Sequence, residues 1–250
     1  MLISKSFCLS RLRMLSFLDE LASIEERAVT LYLPRGMPLV RVDDSLEKVF
    51  ATASVPSGMP EVIGSSETGA VLFWGLTKKY LILPPFPIGE EYFTNGYDTG
   101  PLRSLFSHDF LIALVLVRLG AYSIGICQGT KLVDSKTGTG LVHARHKKGG
   151  SSQARFARHR EKQIEQFLVR VCAHAREHIE PHARSLDYLV YGGARTTILS
   201  LRKRCPFMSQ FDDRTLRILL DIPEPRQAVL QKALGTVWST NVIEWFEDNS

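Results

Sequence analysis

Long hydrophobic runs are missing from this 250-residue sequence. The longest, Phe110 to Val117, is far too short to span a bilayer, so no membrane segment is expected. Cysteine is scarce: Cys8, Cys127, Cys172 and Cys205 stand far apart with no paired spacing. That excludes the signature of a zinc ribbon or a disulfide framework and suits a reducing cytoplasm. The region from Gly64 to Gly69 has neither a dinucleotide-binding nor a Walker spacing, so no nucleotide cofactor is implied, and no other cofactor is signalled. The mildly apolar start, Met1 to Leu18, is interrupted by Lys5, Arg11 and Arg13 and lacks a small-residue cleavage site. It reads as the first helix rather than a leader.

Negative charge is the most informative absence. Between Asp134 and Glu161 there is no acidic residue, while Lys136, Arg145, Lys147, Lys148, Arg155, Arg158 and Arg160 all fall in that window, with His143, His146 and His159 among them. The whole chain carries 31 Lys+Arg against 26 Asp+Glu, a formal charge of +5, which leans toward a polyanionic partner. The 44% hydrophobic content supports a real core around that basic tract.

Periodicity places the tract. Leu12, Leu15, Leu18, Leu21 and Ile24 mark a helical face; Ala28 to Leu33, Ala70 to Trp74 and Lys79 to Leu83 read as strands, and Val55 to Gly69 as a loop. Pro87 to Ser107 reads as a connector holding a domain boundary, so residues 1–105 are expected to form a smaller α/β N-terminal region and 106–250 a second domain. There, Asp109 to Val117, Ala121 to Gln128, Lys131 to Asp134 and Thr139 to Arg145 predict four strands of an antiparallel meander. Ile164, Phe167, Leu168, Val171, Ala175 and Ile179 then mark one long amphipathic helix that Pro181 ends. A strand over Leu186 to Tyr191, a helix over Ala194 to Lys203, a strand around Leu216 to Ile222 and a helix over Pro225 to Leu234 complete the pattern.

The basic residues flank Gly149-Gly150-Ser151-Ser152-Gln153 at the head of that long helix, where a glycine backbone can approach a phosphate or ribose closely. Helical spacing sets Arg155, Arg158 and Lys162 on one face, opposite the apolar stripe. A charge run alone is usually a solvated face; the adjoining glycine-led loop makes an RNA contact the sharper expectation. His174, His178 and His182 could be aligned for a metal, but Pro181 breaks the helix first, and an ordinary polar face is the simpler reading, with no metal expected.

The run Lys148-Gly149-Gly150-Ser151-Ser152-Gln153-Ala154-Arg155-Phe156-Ala157-Arg158 resembles the catalytic domain of eukaryotic and archaeal translation termination factors. In those factors a Gly-Gly-Gln tripeptide precedes a segment ending in Arg-Phe-Ala-Arg. Here the glutamine is displaced: Ser151 follows the glycines and Gln153 comes two residues later, the Gly-x-x-Gln form of the Vms-like release-factor branch. The resemblance covers about Phe110 to Thr240 in element order, and its specific residues only about Lys147 to Arg160. It implies a ribonuclease-H-like α/β domain with a mixed sheet and flanking helices.

The resemblance also implies a substrate, peptidyl-tRNA left on a large ribosomal subunit, with its rRNA as the docking surface. In that reading loop 146–153 enters the peptidyl-transferase centre, with Gly149, Gly150, Ser151 and Ser152 shaping it and Gln153 orienting the attacking group or the oxyanion. Arg145, Lys147, Lys148, Arg155, Arg158, Arg160 and Lys162 are the expected RNA contacts. Three outcomes stay open: ester hydrolysis, endonucleolytic cleavage near the tRNA 3′ end, and a non-catalytic rescue module that only docks. No decoding motif is visible in residues 1–105, so stop-codon recognition is not implied.

Overall fold

The computed structural model describes residues 2–50, 54–142 and 153–247. Along the chain the elements are β1 (Leu2–Leu9), α1 (Arg11–Ala22), β2 (Ala28–Leu33), α2 (Leu39–Phe50), α3 (Met59–Gly64), β3 (Ala70–Gly75), β4 (Lys79–Leu83), β5 (Tyr92–Asn95) and α4 (Gly100–Ser107). There follow β6 (Leu111–Arg118), β7 (Ala121–Gln128), β8 (Lys131–Thr139), α5 (Gln153–Ile179), β9 (Tyr188–Gly193), α6 (Arg195–Arg204), β10 (Thr215–Leu220), α7 (Gln227–Val237) and β11 (Thr240–Glu247). They form two compact units, Met1–His108 with Val237–Ser250, and Asp109–Thr236. The last strand therefore leaves the 106–250 region that the sequence assigns it to, because its hydrogen-bonding partners are β1 and β4.

The first unit is a six-stranded sheet in the order β1-β11-β4-β3-β2-β5, antiparallel throughout. Strands β2, β3 and β4 occupy the expected segments. The expected first helix over Met1 to Leu18 is corrected: residues Leu2–Leu9 are a strand, and helix begins only at Arg11. Leu9 pairs with Thr240 and Ile3 with Phe246, so the ladder that makes this segment β comes from the far end of the chain. The expected loop over Val55 to Gly69 contains α3, and the expected connector contains β5 and α4. Against one sheet face Val42, Leu46 and Phe50 of α2 and Met59 and Ile63 of α3 cover Leu31, Leu33 and Leu72.

One carboxylate ties down the β3–β4 turn. Glu26 accepts from the Thr77 hydroxyl at 2.6 Å, from the backbone N–H groups of Thr77 and Lys78 at 3.1 and 3.2 Å, and from the Tyr97 hydroxyl. Gly75 leaves the room, since a Cβ there would overlap the Tyr97 hydroxyl and the Glu26 carboxylate. Burial pushes this carboxyl up, but the hydrogen bonds from Thr77, Tyr97 and Lys78 outweigh it and hold the pKa at about 2. A glutamate in the unfolded chain titrates near 4.3. The tether therefore contributes fully above that range and is lost as pH falls to about 2. Glu26→Gln is expected to lower the urea midpoint at pH 7, and its gap from wild type to close as the titration is repeated at successively lower pH. A gap that stayed constant would mean that the carboxylate charge contributes nothing.

The second unit is a five-stranded mixed sheet in the order β10-β9-β6-β7-β8, with β6, β9 and β10 parallel and β6-β7-β8 an antiparallel meander. This is the ribonuclease-H-like arrangement. Central β6 has seven of its eight residues buried, which explains the unbroken apolar run there. Helices α5 and α6 cover one face, and α7 packs on the other, where a Cβ on Gly125 would meet Leu230. The meander has three described strands rather than four: Lys131 to Thr139 form one continuous strand, and residues 143–145 of the expected fourth lie outside the described residues. Ser135 to Gly138 pair with Gly125 to Tyr122 instead of turning.

The cysteine reading also needs correction. Cys172 of α5 and Cys205, just after α6, form a disulfide with Cα atoms 5.5 Å apart. The two residues are 33 apart in sequence and meet only because the two helices pack side by side on the sheet, so their spacing carried no sign of the bond. Cysteine content thus no longer argues for a reducing compartment.

Candidate nucleic-acid interface

The 27-residue helix α5 changes character along its length. From Ile164 onward it is part of the core: Phe167, Leu168, Val171, Ala175 and Ile179 are buried against β6 and β7, and Tyr122 meets Phe167 edge-on at 6.1 Å. From Arg155 to Gln163 no side chain is buried. The end of the sheet falls where this change occurs. Arg170 donates to the Thr139 carbonyl at the end of β8, and a Cβ on Gly140 would run into Phe167. A rise of ~1.5 Å per residue puts Gln153 about 20 Å along the axis from Phe167. The sequence of that extension, rich in Ala, Arg, Gln, Glu and Lys, has the intrinsic propensity to stay helical without packing.

Its charge is set against its own helix. The first turn contains no acidic residue, and Arg155 stands at the end where the macrodipole is positive. A cation there costs about 0.3–1 kcal/mol, which an anion bound at the same place relieves. At about 100° per residue, Arg155, Arg158 and Lys162 fall within an arc of about 60°. Arg155, Arg158 and Lys162 are all exposed.

The described structure thus brings Arg155, Arg158 and Lys162 together and sets Arg160, half-buried, on a different flank. Gln153 opens the helix. Its side chain, together with Arg145, Lys147, Lys148, Gly149, Gly150, Ser151 and Ser152, lies outside the described residues, as do His143 and His146. Phe156, which the sequence motif alone does not mark as a contact residue, is exposed on the extension.

The lower half of the helix holds its histidines in side-chain pairs. His178 Nδ1 lies 2.5 Å from the Asp134 carboxylate on β8, and this contact, ahead of a smaller opposing effect of burial, keeps the Asp134 carboxyl below its ordinary range. His174 lies 3.1 Å from Glu177 and stacks on Tyr122 at 5.7 Å between ring centroids. Among the described residues no group of three or more His, Cys, Asp or Glu side chains is arranged to hold a metal ion. Nor is any described helix long and apolar enough to cross a membrane.

A ribonuclease-H-like sheet bearing a long helix with a cationic head led by Gly-Gly-x-x-Gln defines a domain of the release-factor class, related to the translation termination factors. The chain belongs to the Actinobacteria/chloroflexi VLRF1 release factor family, whose model matches residues 111–243, just over half of its length. It is similar to peptide chain release factor subunit 1 of Archaeoglobus fulgidus, 24% identical over 210 residues covering 72% of this chain and 52% of that protein. The corresponding protein of Thermococcus sibiricus is 26% identical over 188 residues, 63% of this chain and 45% of the relative. The chain spans about half the length of these curated relatives. The second unit is only about half of this chain, so the 72% match includes residues of the first unit. Among solved structures, the crystal structure of the archaeal translation termination factor aRF1 is similar over 92% of this chain and 73% of its own, with a TM-score of 0.39 and 17% identity.

Proposed function

We propose that this release factor frees nascent chains from peptidyl-tRNA held on stalled large ribosomal subunits, by hydrolysis of the ester that joins peptide to tRNA. The observation that carries the reading is the cationic extension of α5, which sets an exposed Arg155 in the first turn, at the positive end of its own helix, with Arg158 and Lys162 exposed beyond it and the Gly-Gly-x-x-Gln sequence at its head. Such a placement weakens the helix unless an anion meets it. A polyphosphate partner supplies that anion.

In this reading Arg155, Arg158 and Lys162 track phosphates at the acceptor end, and Arg145, Lys147, Lys148 and Arg160 add general attraction toward tRNA and rRNA. Gly149 and Gly150 let the loop fit a narrow cavity, flanked by Ser151 and Ser152. Gln153 donates an amide hydrogen bond, from side chain or backbone, to the water or to the oxyanion of the tetrahedral intermediate. No cofactor enters the step, and the protein works in the cytoplasm with the ribosomes it serves.

The test uses purified large subunits carrying a stalled peptidyl-tRNA, incubated with the full chain. Free peptide together with tRNA that keeps its complete 3′ end supports ester hydrolysis. Release of peptide with the terminal nucleotides attached moves the activity to endonucleolytic cleavage, and binding with no release reduces the chain to a docking module.

A further inference from the structure

We infer that Phe156 is a stacking platform for an unpaired nucleobase at the tRNA acceptor end, an inference that rests on the RNA-directed reading above. Helix α5 contains two phenylalanines with opposite fates. Phe167 is 2% exposed in the core, whereas Phe156, on the extension, is 58% exposed. Among residues 155–163 it is the one large apolar side chain.

Its surroundings suit a nucleotide. His159, Arg160 and Gln163 follow Phe156 at steps of three, four and seven and form one stripe with it, while Arg155, Arg158 and Lys162 form the adjacent stripe. One stripe offers a π-face bordered by an imidazole, a guanidinium and an amide, the groups that hold a base by stacking and by its edge. The other offers cations alone, as a phosphate chain requires. A base and its own phosphate can therefore be engaged side by side. Bases inside an A-form duplex are stacked on one another and cannot reach the ring, which selects an unpaired end.

The experiment is a fluorescence titration of the full chain with an acceptor-stem hairpin RNA bearing an unpaired 3′ overhang, and with its blunt-ended counterpart, over a series of salt concentrations. Phe156→Ala is expected to weaken overhang binding about 5- to 150-fold, with the salt slope unchanged, because no charge is lost. Phe156→Trp keeps wild-type affinity, Phe156→Leu behaves like Phe156→Ala, and none of the three alters binding to the blunt hairpin. The inference is overturned if Phe156→Ala binds the overhang as wild type does, if leucine restores affinity, if the blunt hairpin suffers equally, or if wild type does not bind the overhang. Because the hairpin assay contains no ribosome and reads no release, tight overhang binding with no peptide release would overturn the functional reading and leave the stacking role standing.

Discussion

Gln153→Ala is expected to lower the rate of peptide release from stalled large subunits by about 10²- to 10³-fold while leaving subunit binding within a factor of about two, the loss typical of one oxyanion-hole donor. The separation of the two effects follows from the sequence of α5. Gln153 carries no charge, and the cations proposed to set affinity, Arg155, Arg158 and Lys162, lie further along the helix and are untouched by the substitution. A residue whose hydrogen bond strengthens only as the oxyanion develops changes turnover and not binding. Single-turnover release at saturating protein, read beside a sedimentation assay for subunit binding, separates the two. Release by Gln153→Ala at the wild-type rate would remove the side-chain amide from the chemistry. The backbone N–H survives in the alanine variant, so a loss confined to a few-fold would assign the donor to the main chain.

The reach of that glutamine depends on how the lower half of α5 is held. Phe167, Leu168, Val171 and Ala175 lie in the core, Cys172 is bonded to Cys205, and His178 ties the last turns to Asp134 on β8. Rigid elements place a functional group more accurately than loops do, and here the helix serves as the rigid element for a tip that begins about 20 Å away. The boundary between the two halves was legible in the sequence, because the apolar residues start at Ile164 and the cations precede them. So were β6 and β7, one buried on both faces and therefore continuously apolar, the other its hairpin partner.

What stayed hidden was long-range. Ser4, Lys5 and Ser6 give no strong strand signal, and β1 exists because β11 runs beside it, pairing Leu9 with Thr240. Helix α2 has Asp43, Asp44 and Ser45 in succession, which masks the spacing of Val42, Leu46 and Phe50 that buries it. The glycines and prolines around α3 read as loop because they flank a helix of only six residues. The disulfide depended on two helices meeting, and Gly138 in β8 looked like a turn although it is there because a Cβ would strike the Tyr122 ring. Phe156 was hidden differently: its place in a family motif gave it meaning, and only its exposure shows that the core does not need it.

Arg155→Glu combined with Arg158→Glu is expected to weaken binding to stalled large subunits by at least about 100-fold at physiological salt, since each charge-assisted contact contributes about 1.5–3 kcal/mol and reversal adds repulsion. The log-log salt slope should become shallower by about 1.4, at ~0.7 per phosphate contact on a single strand. Stability should move the other way. Glutamate at 155 complements the positive end of the helix in place of an arginine that opposes it, worth about 0.3–1 kcal/mol. Glutamate at 158 gains Lys162 at i,i+4 but faces Glu161 at i,i+3, so that site is close to neutral for the helix. Both sites are exposed, so no core contact is lost. A thermal midpoint equal to or above wild type, in a variant that no longer binds, would identify these cations as kept for a partner at the fold's expense. Unchanged binding, or a salt slope that does not move, would mean that the cationic face of α5 contacts no phosphate.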